Sequence, residues 1–259
     1  MILINLKRLI ILLISKVQFI FYSLFIEYIK INNKKNLVVL CKGESNKLVT
    51  KKKLRFKKNK NFSTILCNFK DNDFKDHIYY KFFKAHPIFI LANGTEPVLN
   101  LNNLINCKIA DVYVQRFGSS KKSGLTRNIN EKRTTRKLDK ISNNVKYLPL
   151  SLKKDFIILK KKLKKKFALN TGLVSILLAA SMNPVKIKIF GLDFYQSNYF
   201  NKSLVDNMQE KEKKILINSS FKYKSVFIEI VKMNKHILFE LYTYSDIKSH
   251  LKNLKIFNK

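Results

Sequence analysis

Four short apolar runs in the first half of the chain constrain its fold most. They are NLVVLCKGES (36–45), STILCNF (63–69), PIFILANG (87–94) and IADVYVQRFG (109–118). Runs of this length, separated by polar or helical segments, suit strands buried on both faces of a parallel α/β sheet. The second half adds LNTGLVSILLAASMNPVKIKIFGLDFY (169–195), an apolar helix, an Asn183-Pro184 turn and an alternating strand ending in Gly-Leu-Asp-Phe-Tyr. A helix-like FKYKSVFIEIVKMN (221–234) and a strand HILFELYTYS (236–245) close the pattern. The expected fold is a Rossmann-like parallel sheet with flanking helices over residues 36–259. Residues 119–146 lack apolar periodicity and read as an exposed excursion, residues 150–168 as a basic amphipathic segment, and 196–218 as a polar insertion.

Charge narrows the function classes. Lys and Arg number 52 against 17 Asp and Glu, a formal net charge of +35, which first suggests nucleic acid or an anionic membrane surface. The charge is mostly lysine, however, and comes with many Asn and Ile and few Gly and Pro. That is the signature of an AT-rich genome. No arginine-rich arm, zinc-finger spacing or aromatic RNA-binding signature accompanies it, so compositional drift with mild membrane attraction is favoured and a nucleic-acid module is the lesser alternative. Cys41, Cys67 and Cys107 lie in or beside apolar runs without any Cys-x-x-Cys, which indicates small core residues in a reducing compartment.

Residues 9–30, LIILLISKVQFIFYSLFIEYIK, are the most apolar stretch, interrupted by Lys16, Gln18 and Glu27 and followed by no small-residue cleavage site. A membrane-anchoring helix over residues 1–32 is expected, lying in the interface or crossing once, on the cytoplasmic side of the inner membrane.

Polar residues gather where the strands end, which is where open parallel sheets bind ligands. Gly43 and Ser45 follow the first run, Asn68 the second, Asn93 the third, and Asp193 and Tyr195 the strand after the helix. Gly43 suits a tight turn and close approach to a phosphate. Asn170 and Thr171 are placed to cap the helix beginning near Gly172, whose N-terminus favours an anionic ligand.

NTGLVSILLAASMNPVKIKIFGLDFYQ resembles the core of the bacterial lipooligosaccharide sialyltransferases, in which a Ser/Thr-Gly helix leads to a strand ending Gly-x-Asp-Phe-Tyr. VVLCKGES is similar to that family's first strand and glycine turn, with Lys42-Gly43-Glu44 replacing its usual Gly-Asn-Gly or Gly-Asn-Ser. ILCNF and FILANG resemble its second and third strands. The resemblance implies a GT-A-like domain and a metal-free, inverting transfer from CMP-sialic acid, without a cofactor, to a cell-surface glycan acceptor. It further implies that Gly43, Ser45, Asn68 and Asn93 hold the nucleotide. Asn170, Thr171 and Gly172 would then meet the donor's sugar and carboxylate, Tyr195 and Tyr199 would hydrogen-bond the departing phosphate, and 196–218 would form a lid; Asp193, at its strand end, is a further substrate-binding candidate. The family's general base is a histidine just after the lid. Here INSSFKYKSV offers Ser219, Ser220 and Tyr223 but no imidazole, His86 and His236 lie elsewhere in the sequence, and Asp206 or Glu210 could substitute only on lid closure.

Two rivals follow from the residues. Asp71-Asn72-Asp73 has the spacing of a divalent-cation site in a metal-dependent glycosyltransferase. The missing histidine supports a non-catalytic sugar-nucleotide-binding protein.

Overall fold

The computed structural model describes residues 36–51, 62–67, 88–91, 111–114, 145–147, 155, 158–159, 161–163, 169–197 and 210–258. Eight strands form one sheet: β1 Asn36–Leu40, β2 Phe62–Cys67, β3 Ile88–Leu91, β4 Asp111–Val114, β5 Val145–Tyr147, β6 Lys186–Phe190, β7 Leu238–Thr243 and β8 Leu254–Asn258. Their order is β5-β4-β3-β2-β1-β6-β7-β8, and every neighbouring pair is parallel. The sheet grows outward from β1 to β5, then restarts on the other side of β1 with β6. The boundary between β1 and β6 is therefore a topological switch point, where the chain leaves the two strands toward opposite sides and opens a crevice.

The four early runs hold β1 to β4, and the burial of β1 and of Thr64–Cys67 in β2 accords with strands covered on both faces. Leu37, Val39, Ile65, Ile187, Ile189, Phe239 and Leu241 face one core, and each is almost completely inaccessible. Helix α2 (Thr171–Ser181) lies on that face; α1 is the single turn Leu48–Lys51 that follows a 3-10 turn over Glu44–Lys47. In α2 every residue from Leu173 to Ala180 is buried, so the helix is sandwiched rather than amphipathic. Truncating one of its buried Leu or Ile residues to Ala costs about 2–5 kcal/mol. Helices α3 (Glu210–Asn218) and α4 (Ser220–Met233) follow β6, and α4 packs against α2 with Val226, Phe227, Ile230 and Val231.

Three differences from the expected pattern stand out. Val145, inside the stretch read as an excursion, starts β5 and pairs with Val112. The stretch read as a lid ends in α3, which runs through Ser219 into α4 with only a kink; Ser219 N still donates to Ile215 O (3.1 Å). Strand β8 has no counterpart in the expected pattern: residues 244–253 return along the sheet so that Leu254–Asn258 pairs parallel to β7. The basic segment keeps its amphipathic sense where it is described, with Leu159 buried and Lys161 and Lys162 exposed.

The expected membrane helix over residues 1–32 lies outside the described residues. Among the described residues no helix is long and apolar enough to cross a membrane.

Candidate active site at the switch point

Beyond the carboxyl ends of β1 and β6 the two chain segments are tied together. Cys41 N donates to Phe190 O (2.8 Å) and Gly43 N to Gly191 O (2.8 Å), extending the parallel ladder into the turns. Gly191 has φ +72°, and a Cβ there would come within 2.3 Å of Cys41 O. Only glycine adopts that backbone at that distance. Gly43 is held as tightly for another reason. A Cβ on it would meet Asp193 Oδ2 at 2.5 Å and Gly191 O at 2.6 Å. The close approach that the Gly43 turn permits is thus to the β6 turn of the same chain.

Asp193 is the centre of this joint. Its carboxylate is buried (3% exposed) and accepts from Ser45 N (2.8 Å) and Ser197 Oγ (2.5 Å) on one oxygen, and from Thr243 Oγ1 (2.9 Å) and Tyr244 N (3.0 Å) on the other. Its backbone oxygen accepts from Ser245 Oγ and Gln196 N. One carboxylate therefore joins the ends of β1, β6 and β7. Ser45 is likewise internal: its hydroxyl donates to Tyr242 O (3.1 Å) and accepts from Gly191 N (3.1 Å), with the residue fully buried. Both were read from sequence as ligand-binding residues. The structure gives the Asp193 carboxylate and the Ser45 hydroxyl protein partners, which tie the ends of β1, β6 and β7 together.

Asn170 is the N-cap of α2, and its Oδ1 accepts from Leu173 N (2.9 Å), satisfying one of the helix's free donors. Thr171 and Gly172 form the first turn, half-buried, and a Cβ on Gly172 would sit 3.1 Å from both Cys41 Sγ and Leu192 Cδ1. Asn170 Nδ2 reaches the Tyr195 hydroxyl at 3.4 Å. Tyr195 and its neighbour Phe194 both lie in the left-handed region, at φ +63° and +48°, which costs non-glycine residues on the order of 1–3 kcal/mol each. The Asp193 network fixes the chain on one side. On the other, Phe194 packs on Phe227 (5.8 Å between ring centroids) and Tyr195 on Tyr223 (5.2 Å, 58°). The strained turn aims a phenol at the N-terminus of α2.

Cys41 and Cys67 are buried neighbours with sulfurs 3.6 Å apart, and Cys67 Sγ donates to Ser175 Oγ (2.8 Å). The hydrogen bond to Cys67, and then burial, push the Cys41 thiol well up, so it is a core residue and no nucleophile. Tyr223 required depression of its pKa to serve as a base, but burial pushes its phenol up. His236 caps the far edge of the sheet, where its Nε2 pairs with Asn183 Oδ1 (2.7 Å) just ahead of β7, at the opposite end of the strands from Tyr195.

Asn68, Asn93, Tyr199, Asp71, Asp73, His86 and Asp206 lie outside the described residues. Among the described residues no group of three or more His, Cys, Asp or Glu is placed to hold a metal ion. Sequence reasoning missed Thr243, the last residue of β7, and Tyr244 and Ser245 after it, which carry no motif of their own.

No protein-family model and no curated protein matches the chain. Solved structures do. The sialyltransferase CST-II in complex with a trisaccharide acceptor and CMP superposes with a TM-score of 0.53 at 14% identity, over 85% of this chain and 86% of that one. The α-2,3-sialyltransferase Cst-I from Campylobacter jejuni gives 0.52 at 14% identity, over 87% and 81%. CstII from Campylobacter jejuni with cytidine-5'-monophosphate gives 0.50 at 14%, over 86% and 85%. The chain has the fold of these bacterial sialyltransferases across nearly its whole length.

Proposed function

We propose that the protein is a sialyltransferase-like glycosyltransferase that moves a sialic-acid-type sugar from a CMP-sugar to a glycan hydroxyl at a membrane surface. The observation that carries this reading is the convergence, at the β1/β6 switch point, of the β1 turn, the capped N-terminus of α2 and the Tyr195 phenol. In the transfer an acceptor oxygen attacks the anomeric carbon and the bond from that carbon to the phosphate oxygen breaks. CMP leaves with the bonding electrons. Negative charge develops on the phosphate, and donors fixed beforehand around it lower the barrier. Tyr195 is such a donor, held by a strained backbone against Asn170; the N–H groups of Thr171 and Gly172 at the start of α2 are others. Asn68, Asn93 and Tyr199 complete the proposed donor site from sequence. This donor set is uncharged, and the proposed reaction uses no metal or cofactor.

The position of His236 supports a second reading, a protein that binds the sugar nucleotide and has lost the transfer step. The two readings share nucleotide binding and diverge at turnover. The first test is the thermal midpoint with CMP and with other nucleotides, with and without EDTA. A rise specific to CMP that survives EDTA is expected. Loss of the rise on chelation, restored by manganese, would shift the assignment to Asp71 and Asp73. Transfer from CMP-sialic acid to galactose-terminated acceptors then separates enzyme from binding protein.

A further inference from the structure

Among the described residues, Ser220 Oγ is a buried side-chain oxygen with no hydrogen-bond partner. The residue is 5% exposed. Other serines on helices of this chain satisfy themselves by donating to a carbonyl three or four positions back: Ser175 to Thr171, Ser181 to Leu178, Ser219 to Ile215 and Ser225 to Phe221. That local bond is the default for a helical hydroxyl. A buried hydroxyl without it carries the cost of lost hydration uncompensated, which is uncommon enough in folded proteins to need a cause.

Ser220 stands at a telling place. At 100° per residue, positions 220, 223 and 227 share one face of α4. Phe227 on that face packs on Phe194, and Tyr223 packs on Tyr195. Successive contacts thus follow the chain outward from the end of β6, and Ser220 is the next position, one turn beyond Tyr223. Helix α4 joins two parallel strands, so its N-terminal end returns to the carboxyl edge of the sheet, where the crevice lies.

We infer that Ser220 is a ligand-binding residue of the candidate active site, and that its partner is a hydroxyl of a bound sugar. A neutral hydroxyl both donates and accepts, which matches a sugar hydroxyl. This inference rests on the glycosyltransferase reading. The sugar can be the one being transferred or the one receiving it, and the experiment separates the two.

The test is Ser220→Ala against the wild-type full chain, with thermal midpoints and binding of CMP, of CMP-sialic acid, and of a galactose-terminated oligosaccharide in the presence of CMP. The expected result has three parts. The ligand-free midpoint stays the same or rises, because the orphaned hydroxyl is gone. CMP affinity stays within about twofold, and affinity on one sugar-bearing arm falls about three- to tenfold, the effect of one lost buried hydrogen bond. A loss with CMP-sialic acid assigns Ser220 to the donor sugar; a loss with the oligosaccharide assigns it to the acceptor. A lower ligand-free midpoint with unchanged affinities overturns the inference and makes Ser220 structural. Equal loss on all arms, CMP included, also overturns it. If wild-type protein binds none of the three, the glycosyltransferase reading fails and takes this assignment with it; if wild type binds and Ser220→Ala matches it, only the Ser220 assignment falls.

Discussion

Asp193 and Ser220 are both buried polar side chains at the carboxyl edge of the sheet, yet one has four hydrogen-bond donors on its carboxylate and the other has no partner. The contrast separates two jobs that sequence position alone confuses. A satisfied buried carboxylate fixes backbone: it joins strands whose residues are 50 and 148 positions away. An unsatisfied hydroxyl on a packed helix face has no such structural role, and its desolvation is recovered only when something binds. The first region is a joint; the second is a buried hydroxyl for which the inferred ligand supplies the partner.

Substitution at Asp193 gives the largest expected effect. Asp193→Ala removes the acceptor of Ser45 N and Tyr244 N and takes one bond each from the hydroxyls of Ser197 and Thr243, the latter keeping Leu192 O at 3.0 Å. Breaking a buried charged network this way costs about 3–5 kcal/mol, measured as a fall in the urea or thermal midpoint of the ligand-free protein. Unchanged stability with lost CMP binding would break the comparison and return Asp193 to the ligand site. Gly43→Ala probes the same joint from the other side. Its Cβ would meet a carboxylate oxygen and a backbone oxygen, neither the end of a flexible chain, and overpacking of this kind costs about 1–3 kcal/mol.

How far the sequence carries this distinction depends on the range of the interactions. Strands β1 to β4 are legible because each lies in a short, mostly apolar run whose signal is complete within a few residues. The Asn170 cap is legible because capping acts over three residues, from Asn170 Oδ1 to Leu173 N. Cys41 and Cys67 are core residues, as their apolar neighbours indicate. The role of Asp193 is not legible, because Gly-Leu-Asp-Phe-Tyr looks the same whether the carboxylate meets a ligand or meets Thr243. Strand β8 escapes for a related reason: LKIFN is short and follows the polar SDIKSHLKN, and only pairing with β7 makes it a strand. The orphaned Ser220 differs from Ser219 beside it solely in which way α4 faces.

A third buried polar side chain, this one again a carboxylate, sharpens the comparison through pH. Glu240, on the opposite face of β7, is about one-tenth exposed and pairs with Lys186 (2.9 Å) and Lys188 (3.7 Å). Burial alone pushes its carboxyl up, but the lysines and the Tyr242 hydroxyl together hold it below the ordinary value. A folded pKa below the unfolded one means the carboxylate stabilises the fold above the unfolded pKa of about 4.3, and the contribution is lost as pH falls through the folded value. Glu240→Gln is therefore expected to lower stability at pH 7 by about 1–3 kcal/mol, with the gap to wild type closing as pH falls below about 4. A constant gap across that range would show packing, not charge, to be what Glu240 supplies.

Tyr223→Phe should give the smallest change in stability. The substitution keeps the ring that packs on Tyr195 at 5.2 Å and removes only the hydroxyl, so stability should stay within about 0.5 kcal/mol of wild type. Its value lies in what it excludes. Burial pushes this phenol up, so it stays protonated through neutral pH and cannot take the acceptor's proton there. If the protein transfers sugar, the pH–rate profile of Tyr223→Phe should keep the wild-type shape between pH 5 and 9. A vanished alkaline or acid limb would make Tyr223 the missing proton acceptor. Tyr223→Leu completes the argument, because it removes the ring and frees Tyr195 to leave its strained position. That variant should lose turnover while Tyr223→Phe retains it. The face of α4 would then act by holding Tyr195 through packing at position 223 and by meeting the ligand through hydrogen bonding at position 220.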